Sequence, residues 1–309
     1  MAAISAGLVK ELREKTGAGM MDCKKALSET EGDVEAATDW LRKKGLAAAA
    51  KKAGRATAEG LVGLITERRA GALVELNSET DFVARNENFQ ALVRKVTALA
   101  PAAGGDLARL SEVTVPDSGR SVSEEITNAI SVIGENMSLR RTAVIEVEAG
   151  AVGGYVHGQV VPGMGKIGVI VGLKSIASDT AALADFGKQI AMHVAASNPQ
   201  AVASDQLDQT VVDREMAIYA DQARASGKPD NIIEKMVQGR LRKFYEEVVL
   251  LDQAFVIDGD KKVREAVDAK AKELGAPIEV TGFEKFVLGE GVEKEETDLA
   301  SEVAQLAGS

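Results

Sequence analysis

The hydrophobic periodicity of this chain switches from strand to helix twice in the same order, and that recurrence limits the fold more than any other feature. Leu61 to Thr66 and Ala72 to Asn77 alternate as strands joined by a turn near Arg69-Ala70-Gly71. A helix follows from Asn88 to Ala100, with Phe89, Leu92, Val96 and Leu99 on one face and Pro101 as its stop. Tyr155 to Val161 and Ile167 to Lys174 repeat the hairpin. Thr180 to Ala196 repeats the helix, with Leu183, Phe186, Ile190 and Val194 at helical spacing before Asn198-Pro199. Two strand–strand–helix units predict a duplicated α+β core, a likeness of pattern and not of residues.

Other elements surround these units. Ile4, Leu8 and Leu12 mark a first short helix, broken by Thr16-Gly17-Ala18-Gly19. Asp22 to Glu29 forms a second with Cys23, Ala26 and Leu27 inward, and Val34, Ala37 and Leu41 stripe a third that ends at Gly45. So small a three-helix bundle is marginal alone and suits a binding role. The alanine-rich, basic stretch after it reads as a linker with room for some helix. Ser121 and Glu124 fit a capping box ahead of a helix from Ser123 to Gly134, followed by a strand from Arg141 to Val147. Val212, Met216, Tyr219 and Ala223 stripe one long helix and Ile233, Val237, Phe244 and Val248 another. With Gly227-Lys228-Pro229 between them, they predict a projecting antiparallel hairpin. A strand near Phe255-Val256, a helix from Lys261 to Leu274, strands at Ile278–Thr281 and Phe283–Leu288, and an amphipathic tail from Thr297 to Ala307 complete the chain. The expected division is a three-helix module (1–45), a linker (46–58), an N-terminal core subdomain (59–140), a C-terminal core subdomain (141–290) carrying the hairpin insertion at about 204–250, and a C-terminal module (291–309).

Composition narrows the chemistry. A net charge of −10 argues against a dedicated nucleic-acid binder, although Lys51-Lys52, Arg55, Arg68-Arg69 and Arg140-Arg141 are the short basic runs such a reading would cite. One cysteine, Cys23, forbids a disulfide framework, and two histidines, His157 and His193, leave little for a metal or catalytic cluster. No membrane-length apolar run and no leader-like start are present, so a cytoplasmic protein without membrane partners is expected. Gly163-Met164-Gly165-Lys166-Ile167-Gly168 matches a dinucleotide-binding pattern, but Val169-Ile170-Val171 continues as strand where that pattern requires a helix; a glycine-rich hairpin loop fits better. No triad or paired-acid site accompanies it, so no enzyme, catalytic residue, cofactor or metal site is expected. His193 reads as a core residue. His157 leans toward function, because Gly158 beside it permits close approach of another backbone.

Thr80-Asp81-Phe82-Val83 sits between strand and helix, where function concentrates. Two readings stand: Thr80 or Asp81 caps a helical turn with Phe82 packed beneath it, or Phe82 is an exposed wedge in a chain with only 4% aromatics.

Thr16-Gly17-Ala18-Gly19-Met20-Met21-Asp22-Cys23-Lys24-Lys25-Ala26-Leu27 and Thr80-Asp81-Phe82-Val83-Ala84 resemble the two signatures of the elongation factor Ts family. Ile133-Gly134-Glu135-Asn136, Arg140-Arg141, Ile190 to Ala196, Gly227-Lys228-Pro229 and Val280-Thr281-Gly282-Phe283 extend the resemblance along essentially the whole chain. The resemblance implies a ubiquitin-associated-like N-terminal module, two core subdomains and a coiled-coil hairpin. It implies a non-enzymatic guanine-nucleotide exchange factor that binds elongation factor Tu, GDP-bound and nucleotide-free, and leaves open a dimer of heterodimers. Thr80, Asp81, Phe82 and Val83 would disturb the partner's Mg²⁺ site, with Phe82 inserted between helices of its nucleotide domain. Met20, Met21, Lys24, Ile133, Gly134, His157 and Val237 would contact the partner. The tail run Glu296-Thr297-Asp298-Leu299 echoes the second signature without its phenylalanine and reads as a docking helix.

Overall fold

The computed structural model describes residues 4–225, 227 and 229–292. Three helices open the chain: α1 (Ala6–Thr16), α2 (Met20–Glu29) and α3 (Val34–Lys52). Gly17 closes α1 in the left-handed conformation, and the Asp33 carboxylate accepts from the N–H groups of Glu35 and Ala36 to start α3. Leu12, Cys23, Ala26, Leu27 and Ala37 form the small core. The third helix runs through Gly45 to Lys52, so the first part of the expected linker is helical. Alanine favours helix, and at Gly45 the missing side chain admits Ser131 of a neighbouring helix, whose Cβ would lie 3.3 Å from a glycine-borne Cβ.

The first repeat is β1 (Glu59–Glu67), β2 (Ala70–Ser78) and α4 (Glu87–Ala103). Pro101 does not stop α4. It lies in the last turn, where its missing N–H removes only one helical bond, and Gly104 at φ 65° ends the helix. A short helix absent from the sequence reading, α5 (Leu107–Glu112), leads to α6 (Val122–Ile133), which opens on the expected Ser121–Glu124 capping box. Then come β3 (Met137–Glu146), β4 (Gly150–His157), β5 (Met164–Gly165), β6 (Ile167–Ser175) and α7 (Thr180–Ser197). The helical hairpin is α8 (Gln209–Arg224) with α9 (Asp230–Val248), packed on one another around Val212, Leu241 and Phe244. A two-stranded ribbon, β7 (Ala254–Phe255) and β8 (Asp258–Lys262), precedes α10 (Val263–Leu274) and β9 (Ile278–Val287). Gly282 does not divide β9; a register shift at Gly172/Leu173 absorbs the irregularity. Lys228, and the expected tail at 297–307 with most of the 291–309 module, lie outside the described residues.

Sheet order is β3-β2-β1-β5 in one sheet and β4-β6-β9 in the other. Each sheet carries a helix on one face and buries the other against its neighbour, through Val62, Leu73, Val147, Val152, Ile170 and Phe286. The mixed α+β architecture expected from periodicity is therefore the one observed.

The repeats match in detail as well as pattern. Gly60 and Gly150 hold φ near 120° at the strand starts, where a Cβ would meet the carbonyl oxygens of Leu76 and Leu173 at 2.3 and 2.0 Å. Both sheets have a register shift beside those leucines. Three residues on, Gly63 lies under Thr97 of α4 and Gly153 under Gly187 of α7. Each glycine lets a helix sit close on its sheet.

Candidate functional site

The connection from β2 to α4 is pinned before and after one exposed step. Upstream, the Thr80 backbone N–H and hydroxyl donate to the two carboxylate oxygens of Glu135 at 2.9 and 2.6 Å. The Ser78 hydroxyl donates to the Thr80 carbonyl at 3.0 Å. Glu79 works in the opposite direction, accepting from the Asn136 N–H at 2.5 Å. Downstream, Val83 and Ala84 are buried in the first-repeat core, and the Gln90 side chain donates to the Ala84 carbonyl at 2.9 Å. Between these anchors Asp81 and Phe82 face outward. Phe82 is 78% exposed. Among the described residues neither side chain has a hydrogen-bond, salt-bridge or ring partner.

That geometry removes the capping alternative. The cap of α4 is Asn86, whose side chain accepts from the N–H groups of Asn88 and Phe89, and among the described residues nothing shelters the Phe82 ring. An exposed phenylalanine forgoes roughly 1.5–3 kcal/mol of burial, and a loop held by charge-assisted hydrogen bonds keeps it in that position.

Glu135 and Asn136 follow directly on Ile133 and Gly134, the end of α6. Gly134 caps the helix at φ 94°, and its carbonyl accepts from the Lys52 ammonium at 2.6 Å. The structure thus brings Thr80, Asp81 and Phe82 together with Ile133 and Gly134. His157 belongs to the same end of the molecule by strand register: Glu59 pairs with Ser78, Val62 with Gly165, and His157 with Ile167. Its imidazole Nδ1 lies 3.1 Å from the Tyr155 hydroxyl and is otherwise exposed. Met20 and Met21 are 61% and 75% exposed on α2 beside exposed Lys24, on the three-helix module. Val83 and Val237 are buried; side chains with so little surface support their neighbours more than they touch a visitor.

Glu79, Glu135, Asn136 and Arg55 were not singled out by sequence reasoning as site residues. Their partners are 24 to 81 positions away in the chain, so no local pattern marks them.

The other chemical readings lose their residues. Arg140 and Arg141 converge on Glu75, which is fully buried: Arg140 Nη1 lies 3.0 Å and Arg141 Nε 2.6 Å from its oxygens, and the Gly289 N–H donates at 2.8 Å. Burial pushes this carboxyl up, but the Gly289 N–H and the two arginines outweigh it and hold it below the usual value. Arg69 donates to the Glu148 carbonyl, Lys52 to Gly134 and Arg55 to Glu79. At least one cation of each basic run is thus a structural tie. The Gly163–Gly168 segment runs from a turn at Gly163, φ 77°, whose carbonyl accepts from the Leu64 N–H, through the short β5 into the start of β6, with strand and not helix after it. His193 is buried, with Nδ1 accepting from the Val256 N–H at 3.2 Å, so Nε2 donates to the Gln253 side-chain amide oxygen, Oε1, at 2.8 Å. Among the described residues no cluster of His, Cys, Asp or Glu could hold a metal, and no helix is long and apolar enough to cross a membrane.

Comparison with known proteins bears on the same segment. The family model described as elongation factor TS matches residues 79–290. The elongation factor Ts of Rhodospirillum centenum is 59% identical across 100% of both chains, and that of Rhodospirillum rubrum 61% across 98% of both. The protein of the same name from Parvibaculum lavamentivorans is 58% identical across 99% of both. With a family model over residues 79–290 and identity of that extent over essentially the whole chain, the chain belongs to the elongation factor Ts family.

Proposed function

We propose that this protein is a guanine-nucleotide exchange factor that binds GDP-loaded elongation factor Tu in the cytoplasm, loosens its Mg²⁺ and phosphate site, and so lets GTP replace GDP during translation elongation. The observation that carries this reading is the outward Phe82 ring on a loop fixed at both ends. GDP is held by phosphate contacts and by the Mg²⁺ that neutralises them. A rigid apolar wedge driven between helices of the nucleotide domain, with the Asp81 carboxylate beside it, favours a state in which the ion is poorly held. No acid, base, nucleophile or cofactor of its own is needed. What is needed is higher affinity for the open, metal-poor state than for the closed one.

The coupling is reciprocal: a thousandfold weakening of GDP binding corresponds to about 4 kcal/mol, taken from the binding of this protein to its partner. One phenylalanine supplies roughly 1.5–3 kcal/mol. Phe82 therefore cannot act alone. Ile133, Gly134 and His157 on the same end, and Met20, Met21 and Lys24 on the three-helix module, supply the remaining contact, with the hairpin around Val237 as a further arm. The test is stopped-flow release of fluorescent GDP from purified elongation factor Tu. Phe82→Ala slows release roughly tenfold to a hundredfold while its circular dichroism and melting temperature match the wild type. A folded Phe82→Ala protein that releases GDP at the wild-type rate refutes the wedge.

A further inference from the structure

We infer that Glu79 and Glu135 are positioning residues for nucleotide exchange, a reciprocal carboxylate clamp that holds the Asp81–Phe82 step outward; the inference rests on the exchange reading above. Each carboxylate comes from one of two neighbouring segments and takes hydrogen bonds from the other. Glu135 receives both the N–H and the hydroxyl of Thr80, and Glu79 receives the N–H of Asn136. Two crossed ties of this kind resist both sliding and hinging, which one tie does not. Ionised acceptors make them stronger than neutral hydrogen bonds.

The clamp extends to the N-terminal module. The Asn136 amide donates to the Arg55 carbonyl at 2.8 Å, and the Arg55 guanidinium lies 3.4 Å from Glu79. Three residues earlier, Lys52 at the end of α3 ties to Gly134. The same helix rests on α6 at Gly45 and carries the Arg42–Glu124 ion pair. The module bearing Met20 and Met21 and the loop bearing Phe82 are thus fastened to one platform, the end of α6. A wedge works by binding the strained state of its partner better than the relaxed one. If its loop must first be ordered, that ordering is subtracted from the binding available for strain.

Loss of the clamp therefore lowers the maximal rate of GDP release more than it weakens the first encounter with the GDP-bound partner, which the other patches support. Glu135→Ala lowers the maximal release rate about tenfold, equivalent to about 1.4 kcal/mol, with KM for the GDP-bound partner changed by less than about threefold. Glu135→Gln, which keeps the packing and one acceptor oxygen, recovers part of that rate and guards against a folding defect in the alanine variant. The decisive measurement is a double-mutant cycle with Phe82→Ala. Because the clamp acts chiefly through the ring, Glu135→Ala costs much less once the ring is gone than it does in the wild type. Additive losses in the double variant, or an unchanged maximal rate in a folded Glu135→Ala single variant, overturn the clamp while leaving the wedge in place. A folded Phe82→Ala protein with unchanged rate overturns both.

Discussion

Removing Arg141 tests how the two sheets are held in register. The guanidinium lies 2.6 Å from the buried Glu75 carboxylate, donates to the Val287 carbonyl at 2.8 Å, and stacks 4.3 Å above the centre of the Phe286 ring. It joins β2 to the end of β9. Arg141→Ala leaves a buried carboxylate with Arg140, the Gly289 N–H and the Asn77 amide as its remaining donors. Breaking a buried pair from one side costs about 3–5 kcal/mol. The surviving donors keep the expected loss near the lower end, about 3 kcal/mol, measured by urea unfolding at pH 7. The pH dependence separates charge from packing. In the wild type Glu75 titrates below its ordinary value of 4.5. Its stabilisation is therefore complete above that value and is lost as pH falls through the folded-state pKa. Without Arg141, burial is opposed by fewer partners and the carboxyl titrates higher, so acid neutralises an unfavourable charge and the variant recovers. The difference between the two proteins shrinks from pH 7 to pH 4. A constant difference over that range refutes the electrostatic account and assigns the loss to packing on Phe286.

Burial holds His193 below the ordinary imidazole value of 6.5, partly opposed by the Gln253 hydrogen bond. The unfolded chain then binds a proton that the folded one refuses, so stability falls as pH drops below about 6.5, by at most about 1.4 kcal/mol per unit. His193→Gln flattens this slope in urea unfolding between pH 7 and pH 5. Gly153→Ala places a Cβ 2.2 Å from the Gly187 backbone. The helix must lift from its sheet, and thermal unfolding shows a loss of about 3 kcal/mol, the upper range for overpacking. The double substitution Met20→Ser, Met21→Ser changes stability by less than about 0.5 kcal/mol. It weakens binding to nucleotide-free elongation factor Tu about tenfold by calorimetry, the loss expected when partial burial of two methionines worth about 1.4 kcal/mol is removed.

What the sequence made legible follows from which interactions are local. Helix and strand periods, the Ser121–Glu124 capping box and the stop at Gly17 depend on residues a few positions apart, and the corresponding elements stand where expected. Gly45 and Pro101 do not end their helices, because packing of α3 on α6 and the Gly104 cap three residues after Pro101 outweigh the local breaking signals. Phe82 could not be placed by pattern at all. An aromatic after a strand is as often core as surface, and only the distant carboxylates of Glu79 and Glu135, with the burial of Val83, decide that the ring points out. The resemblance named the motif; the crossed hydrogen bonds explain why it holds its shape.

The duplication shows how a site arises on one copy of a symmetric frame. Both repeats use the same glycines, the same register shift and the same helix placement. They differ in the connection that follows the second strand. In the second repeat Ser175 is followed at once by residues 176–178 and the Asp179 cap of α7, with the Ser175 hydroxyl accepting from Ala177. In the first repeat the serine at the same place, Ser78, is followed by residues 79–85 before the Asn86 cap of α4. The longer connection holds an extra helical turn whose buried half, Val83 and Ala84, fastens it to the core and whose other half carries Asp81 and Phe82 into solvent. A lengthened surface connection costs little loop entropy, and the added anchors fix its shape. The fold could therefore acquire an outward aromatic ring without disturbing either sheet, which is why the Phe82 loop and the core can be tested by separate substitutions.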